Sequence, residues 1–290
     1  MVSREYPVEL AYSLALIACD DSSSVIPKWL ILTYPKIEWI IQLLCNTRCE
    51  KGCSYCSYAL NVNIALKHYF GFSSFRTYNG ENLQEKAAQA AVNGKSLLAV
   101  FPTGGGKSIT FQLPALMAGK SMHGLTVVIS PLQSLMKDQV DNLVDKGIES
   151  AVTINGMLNP IERADALDRV KSGSASILYI SPEQLRSKTI EYLLLGRTIA
   201  RFVIDEAHCF SAWGQDFRVD YLYIGDFIRH IQEQKGFSNT QIPVSCFTAT
   251  AKQKVITDIC DYFKRRLNLD LEIFATNATR ENLHYTVLFK

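Results

Sequence analysis

Of 290 residues, 48% are hydrophobic and 20% charged, which excludes wholesale disorder and leaves material for one large domain or two ordinary ones. The formal net charge is only +2, so a chain-wide polycation that holds nucleic acid by charge alone is excluded, and any such face must be local. Eight cysteines are present, four of them clustered, which favours metal over disulfides and hence a reducing compartment.

Residues 1–62 show no clean period and read as an N-terminal extension. "LALIAC" (14–19) superficially resembles a lipoprotein cleavage site, but Glu5 and Glu9 precede it against a single Arg4. That is the wrong flank for a secretory signal. "IPKWLILTYPKIEWIIQLLC" (26–45) is interrupted by Lys28, Pro35, Lys36 and Glu38, whereas a membrane span wants about 20 mostly apolar residues. It reads as short helices packed on another body, and no membrane partner is expected.

The extension ends in "CNTRCEKGCSYC" (45–56), a C-x3-C-x3-C-x2-C pattern. If the chain turns at Gly52, Cys45, Cys49, Cys53 and Cys56 meet around one centre. Four thiolates suit a structural zinc with bonds of about 2.3 Å, or an iron–sulfur cluster; ordinary reduced thiols are the third reading. "CEKGCSYC" (49–56) also has the three-ligand form used by radical-SAM enzymes, which would need a barrel after it. Cys209, Cys246 and Cys260 fall in segments that read as core, where a thiol behaves as a small hydrophobe.

From residue 63 the chain is regular. "NIALKHYFGFSSF" (63–75) predicts an amphipathic helix ending at Gly71, and "NLQEKAAQAAVNG" (82–94) one that stops at Gly94. Apolar runs then recur at 96–101, 125–130, 151–155, 176–181, 201–206, 243–248 and 271–276. Helical patterns lie between them at 134–147, 160–173 and 252–267. Continuous apolar strands alternating with helices predict an α/β fold, a parallel sheet with helices on both faces. In such sheets ligands bind at the carboxyl ends of the strands.

Two motifs fall at those ends. "FPTGGGKS" (101–108) follows the first strand, and its glycines let backbone N–H groups approach phosphate oxygens. Lys107 would reach the outer phosphates and Ser108 would ligate Mg²⁺. Phe101 stands where the general phosphate loop has glycine. "RFVIDEAHCF" (201–210) ends a later strand in Asp205, Glu206 and His208. Phosphoryl transfer needs a carboxylate for Mg²⁺ and a group to orient or deprotonate water, roles that suit Asp205 and Glu206.

With Phe75-Arg76, "ISPLQSLMKDQV" (129–140), "YISPEQL" (179–185), "SAWGQDFRVDY" (211–221) and "FTATA" (247–251), these motifs resemble, in order, those of the RecQ family of superfamily-2 DNA helicases. The resemblance covers about residues 63–290 and implies the first of that family's two RecA-like motor domains. It sets a domain over 63–278 and the start of a linker over 279–290, towards a second motor domain that brings an arginine finger. Without that finger, worth about 10³–10⁵ in rate, nucleotide binding, feeble hydrolysis and no unwinding are expected.

The resemblance also implies roles. ATP and Mg²⁺ are the expected cofactors. Thr103, Gly104, Gly105, Gly106, Lys107 and Ser108 hold the phosphates. Phe72 and Arg76 flank the adenine, and Gln84 reads its edge, Gln89 being the poorer match. Lys107, Asp205, Glu206 and His208 form the catalytic set. Trp213, Phe217 and Arg218 contact DNA and couple it to hydrolysis, with Gln215 where the family commonly has His. Thr248 and Thr250 link nucleotide state to domain movement. Single-stranded and duplex DNA are the expected partners, in the cytoplasm, the nucleoid or a nucleus. An RNA-directed DEAH-type ATPase and a non-catalytic binding module are the competing readings.

Overall fold

The computed structural model describes residues 2–18, 25–47, 49, 52–211, 218–236, 241–249 and 252–276, the side chains of 18, 28, 32 and 218 excepted. Six helices come first: α1 (Val2–Glu5), α2 (Pro7–Ala18), α3 (Lys28–Thr33), α4 (Ile37–Asn46), α5 (Ser54–Ala59) and α6 (Val62–Phe70). As the sequence predicts, α6 stops at Gly71, which takes the left-handed conformation that glycine tolerates. Then come α7 (Leu83–Val92) and seven strands: β1 (Leu97–Val100), β2 (Leu125–Ile129), β3 (Ala151–Ile154), β4 (Ile177–Ile180), β5 (Ile199–Ile204), β6 (Val244–Thr248) and β7 (Glu272–Ala275). They form one parallel sheet in the order β3-β4-β2-β5-β6-β1-β7.

Every apolar run became a strand. β5 begins two residues before the predicted start, because Ile199 and Ala200 are also buried. Apart from the edge strand β7, where only Phe274 is buried, the strands are covered on both faces and read as nearly continuous apolar runs. Leu97, Ala99 and Phe101 point into the core under α7, α8 (Lys107–Met122) and α9 (Gln133–Val144). Leu98 and Val100 point into the opposite core, under α10 (Pro160–Ser172), α11 (Lys188–Leu195), α12 (Arg218–Gln234) and α13 (Gln253–Leu267). Cys209 and Cys246 are buried there, while Cys260 is only half-buried. Among the described residues no helix is long and apolar enough to cross a membrane.

The amino edge of the sheet is held by buried charge. Arg201, inside β5, donates to Lys95 O and Ser245 Oγ at 2.8 Å each and to Ala91 O at 2.8 Å. Arg197 donates to the carbonyls of Val170, Ala175 and His123. The two guanidiniums thus add charge-assisted bonds to carbonyls at the C-terminal ends of α7, α8 and α10. Burial pushes Arg201 down to about 9 and Arg197 to about 10.

The N-terminal helices join this frame. Lys235 Nζ donates to both oxygens of Glu38 on α4, at 3.0 and 3.1 Å, and to Arg197 O at 2.7 Å. Thr198 Oγ1 adds a bond to Glu38 at 3.1 Å, and both charged side chains are at most 2% exposed. Around the pair, Ile26, Leu30, Ile37, Ile41 and Cys45 pack on Met122 and Ala200.

Removing one partner of a buried pair strands the other charge. Lys235→Met should therefore lower stability by about 3–5 kcal/mol, whereas Glu38→Leu with Lys235→Met should regain most of it. Urea unfolding of the three proteins checks this, and an equal loss in single and double variants would contradict it.

Candidate nucleotide site

Because the strands are parallel, β1 and β5 deliver their turns to the same edge, with β6 between them. β1 runs into the loop 101–106, and α8 begins at Lys107. Gly104 and Gly106 have φ of +74° and +80°. A Cβ on Gly105 would lie 2.8 Å from Pro102 O, and one on Gly106 2.6 Å from Gln84 Nε2. The loop therefore requires glycine at Gly105, where a Cβ would meet backbone, and at Gly106, whose φ of +80° suits glycine.

Three side chains from the segment between α6 and α7 brace the loop. Arg76 Nη1 donates to Gly104 O at 2.6 Å, the Tyr78 hydroxyl donates to Gly105 O, and Gln84 Nε2 donates to Gly106 O at 2.8 Å. Gln84 Oε1 in turn accepts from Arg76 N at 2.8 Å. Among the described residues no peptide bond is cis, so the carbonyls of Gly105 and Gly106 lie opposite the N–H groups of Gly106 and Lys107. Anchoring the carbonyls aims those N–H groups away from Tyr78 and Gln84.

Gln84 is 2% exposed and on the loop, while Gln89 bonds Leu60 O and Asn93 elsewhere. Phe72 is exposed. Tyr78 has no counterpart among the residues singled out from sequence. Its ring stacks on Phe101 at 4.9 Å and 21°, which gives Phe101 a core role at the usual glycine position.

Across the edge, Lys107 Nζ lies 3.5 Å from Glu206 Oε1. His208 Nδ1 lies 3.1 Å from Glu206 Oε2, off the line of a ring N–H. His208 and then Lys107 hold the Glu206 carboxyl below the usual range, against the effect of its burial. Glu206 itself sits at φ +49°, an uncommon conformation for a residue with a side chain. Asp205 Oδ1 accepts from Glu206 N at 3.0 Å, and Asp205 N donates to Ile129 O of β2 at 2.9 Å. Burial, and then the Glu206 charge, raise Asp205 above its ordinary value. Ser108, in the first turn of α8, and half-buried Asp205 are hard oxygen donors of the kind Mg²⁺ takes.

Thr248 is fully buried at the end of β6, in register with Val100, and its carbonyl accepts from Phe101 N at 3.1 Å. Trp213, Gln215, Phe217 and Thr250 lie outside the described residues, as do the Arg218 side chain and 277–290. One end of the aromatic-rich segment is described: Tyr221 is buried in α12 and donates to Asp205 O at 2.9 Å. Neither Tyr221 nor α12 stands out in the sequence reading. The helical spacing of Tyr221, Ile224, Phe227, Ile228 and Ile231 was the signal available.

The cysteines divide differently from the four-ligand expectation. The Sγ atoms of Cys49, Cys53 and Cys56 lie within 4.8 Å of one another. Cys45 does not join them: it is 1% exposed and its thiol donates to Ser121 O at 3.4 Å. It lies on the inner face of α4, with Ile37 and Ile41, and burial pushes its thiol up to about 11.

The DEAD/DEAH box helicase family profile matches residues 81–259. The chain is 39% identical over 225 residues to the ATP-dependent DNA helicase RecQ of Bacillus subtilis, covering 77% of this chain and 34% of that protein. It is 37% identical to ATP-dependent DNA helicase Q5 of Rattus norvegicus, over 79% of this chain and 22% of that one. It thus spans about a third or less of these relatives' length. Among solved structures, DUF1998 helicase MrfA bound to DNA superposes with a TM-score of 0.57 at 20% identity, over 75% of this chain and 29% of MrfA, a likeness of fold. The chain belongs to the DEAD/DEAH box helicase family, and within it is similar in sequence to RecQ-type helicases.

Proposed function

We propose that this domain binds Mg²⁺-ATP at the carboxyl edge of its sheet and, together with a second motor domain, couples hydrolysis to 3′-to-5′ movement along a DNA strand. The observation that carries the reading is Lys107 beside Glu206 across that edge, with the loop between them braced by Arg76, Tyr78 and Gln84. Its relatives are ATP-dependent DNA helicases by name. Work on DNA places the protein in the cytoplasm, the nucleoid or a nucleus.

In this reading the N–H groups of Gly106 and Lys107 meet phosphate oxygens at the start of α8. Lys107 leaves Glu206 to neutralise the outer phosphates. Glu206, held ionised by His208 and Lys107, is freed to accept a proton from the attacking water. Ser108 and Asp205 would hold Mg²⁺, which when bound offsets charge on the transferring phosphoryl group. Phe72 and Arg76 flank the adenine. Gln84 contacts both the Arg76 backbone and Gly106, so base recognition and phosphate grip share one side chain. Thr248 and Thr250 relay nucleotide state through β6, and Tyr221 ties the end of the DNA-contacting segment to Asp205.

Calorimetry with Mg²⁺-ATP should show binding by the chain and none, or greatly weakened binding, by Lys107→Ala. Glu206→Gln should bind with nearly unchanged affinity yet, in a chain that also carries the second motor domain, hydrolyse about 10²–10⁴-fold more slowly, because the amide cannot take the proton. An unaltered dissociation constant for Lys107→Ala, or an unaltered rate for Glu206→Gln, would contradict the assignment.

Base stacking contributes about 1–3 kcal/mol per base. Trp213→Ala and Phe217→Ala should each weaken single-stranded DNA binding by about that amount. In a chain that also carries the second motor domain, they should reduce DNA stimulation of the ATPase more than the basal rate. Full stimulation in both variants, or equal stimulation of the parent by RNA, would contradict the DNA role.

A further inference from the structure

We propose that Cys49, Cys53 and Cys56 bind one zinc ion through three thiolates, the fourth ligand being a donor other than Cys45.

The sulfur spacing distinguishes a single ion from a cluster. A tetrahedral zinc with bonds of about 2.3 Å sets its thiolates about 3.8 Å apart. In an iron–sulfur cube each thiolate binds a different iron, which spreads the sulfurs further. The three Sγ atoms already lie within 4.8 Å of one another, close enough that a small movement would let them share one ion.

The backbone supports the same arrangement. Cys56 N donates to Cys53 Sγ at 3.3 Å, and Cys49 N donates to Cys56 Sγ at 3.4 Å. N–H groups aimed at sulfur stabilise thiolates and orient them as ligands. Gly52 makes the return between Cys49 and Cys53, with φ +63° and its N–H on Cys49 O at 3.1 Å. Cys49 and Cys53 are exposed, so an ion has an entry path.

Cys45 is committed elsewhere. Its thiol is a proton donor to Ser121 O within the α4 packing, and bringing it to the cluster would break that bond and open the packing. Among the described residues no fourth Cys, His, Asp or Glu completes the group. The C-x3-C-x2-C half of the motif is therefore the metal-binding part, and Cys45 is a core residue that shares its spacing by position.

The ion would act as a staple. Cys56 and Leu60 pack in a cluster with Leu66, Phe75, Val92 and Leu113, beneath the segment that carries Arg76. Metal-binding free energy becomes folding free energy when the site forms only in the folded chain. Zinc here would fix residues 49–60 to the wall of the nucleotide site without touching the nucleotide.

The test is metal analysis of the purified chain and its Cys→Ser variants, with thiol alkylation mapped by mass spectrometry. About one zinc per chain, a colourless protein and tetrahedral cobalt bands after cobalt exchange are expected. Cys49→Ser and Cys53→Ser should fall below about a tenth of an equivalent while Cys45→Ser keeps its zinc. Stripping zinc from the parent should expose Cys49, Cys53 and Cys56 to alkylation together, a result that does not depend on any variant folding. Iron with visible absorption, zinc loss in a folded Cys45→Ser equal to that in Cys53→Ser, or a parent that neither contains nor takes up zinc would overturn the proposal.

Discussion

All seven strands run parallel, so every turn that carries a chemical group leaves the sheet at one edge. Lys107 and Glu206 are 99 positions apart in sequence and 3.5 Å apart in space, without either being on a flexible excursion. Each sits on the connection that leaves the carboxyl end of a buried strand. The rest of the site depends on this convergence: Asp205 is tied to β2 through Ile129, and Thr248 occupies the strand between the two turns. A mixed sheet would have sent some of these groups to the opposite edge.

The two edges are built with different chemistry. At the amino edge, buried guanidiniums and the Glu38–Lys235 pair close helix ends and seat α4 on the sheet. Nothing there needs to move, and a buried, fully bonded charge is costly to disturb. At the carboxyl edge the charges are only partly buried and rest on one another. The lysine that would meet phosphate is parked on the carboxylate that would meet water. Exchanging that contact for a ligand moves side chains, while the strands beneath stay fixed.

The sequence showed most of this edge and little of the other. Strands buried on both faces read as apolar runs, and phosphate chemistry confines glycine, lysine and acid to fixed positions beside them. Tyr78 escaped notice because a tyrosine two residues after Arg76 carries no pattern, and its role exists only once Phe101 and Gly105 are placed against it. Glu38 and Lys235 are separated by 197 residues, and their pairing is a tertiary event. At Cys45 two patterns overlap: Ile37, Ile41 and Cys45 recur every four residues, a buried helical stripe, while the same cysteine falls at the spacing of a metal motif.

The central claim is that the phosphate loop, its Arg76–Tyr78–Gln84 brace and the Asp205–Glu206 turn form one nucleotide-responsive unit. Hydrogen exchange with and without a non-hydrolysable ATP analogue and Mg²⁺ measures it most directly. The account predicts joint protection of 76–84, 103–110 and 205–208, with α4 unchanged. Protection of the loop alone, or of α4 and not the loop, would contradict it.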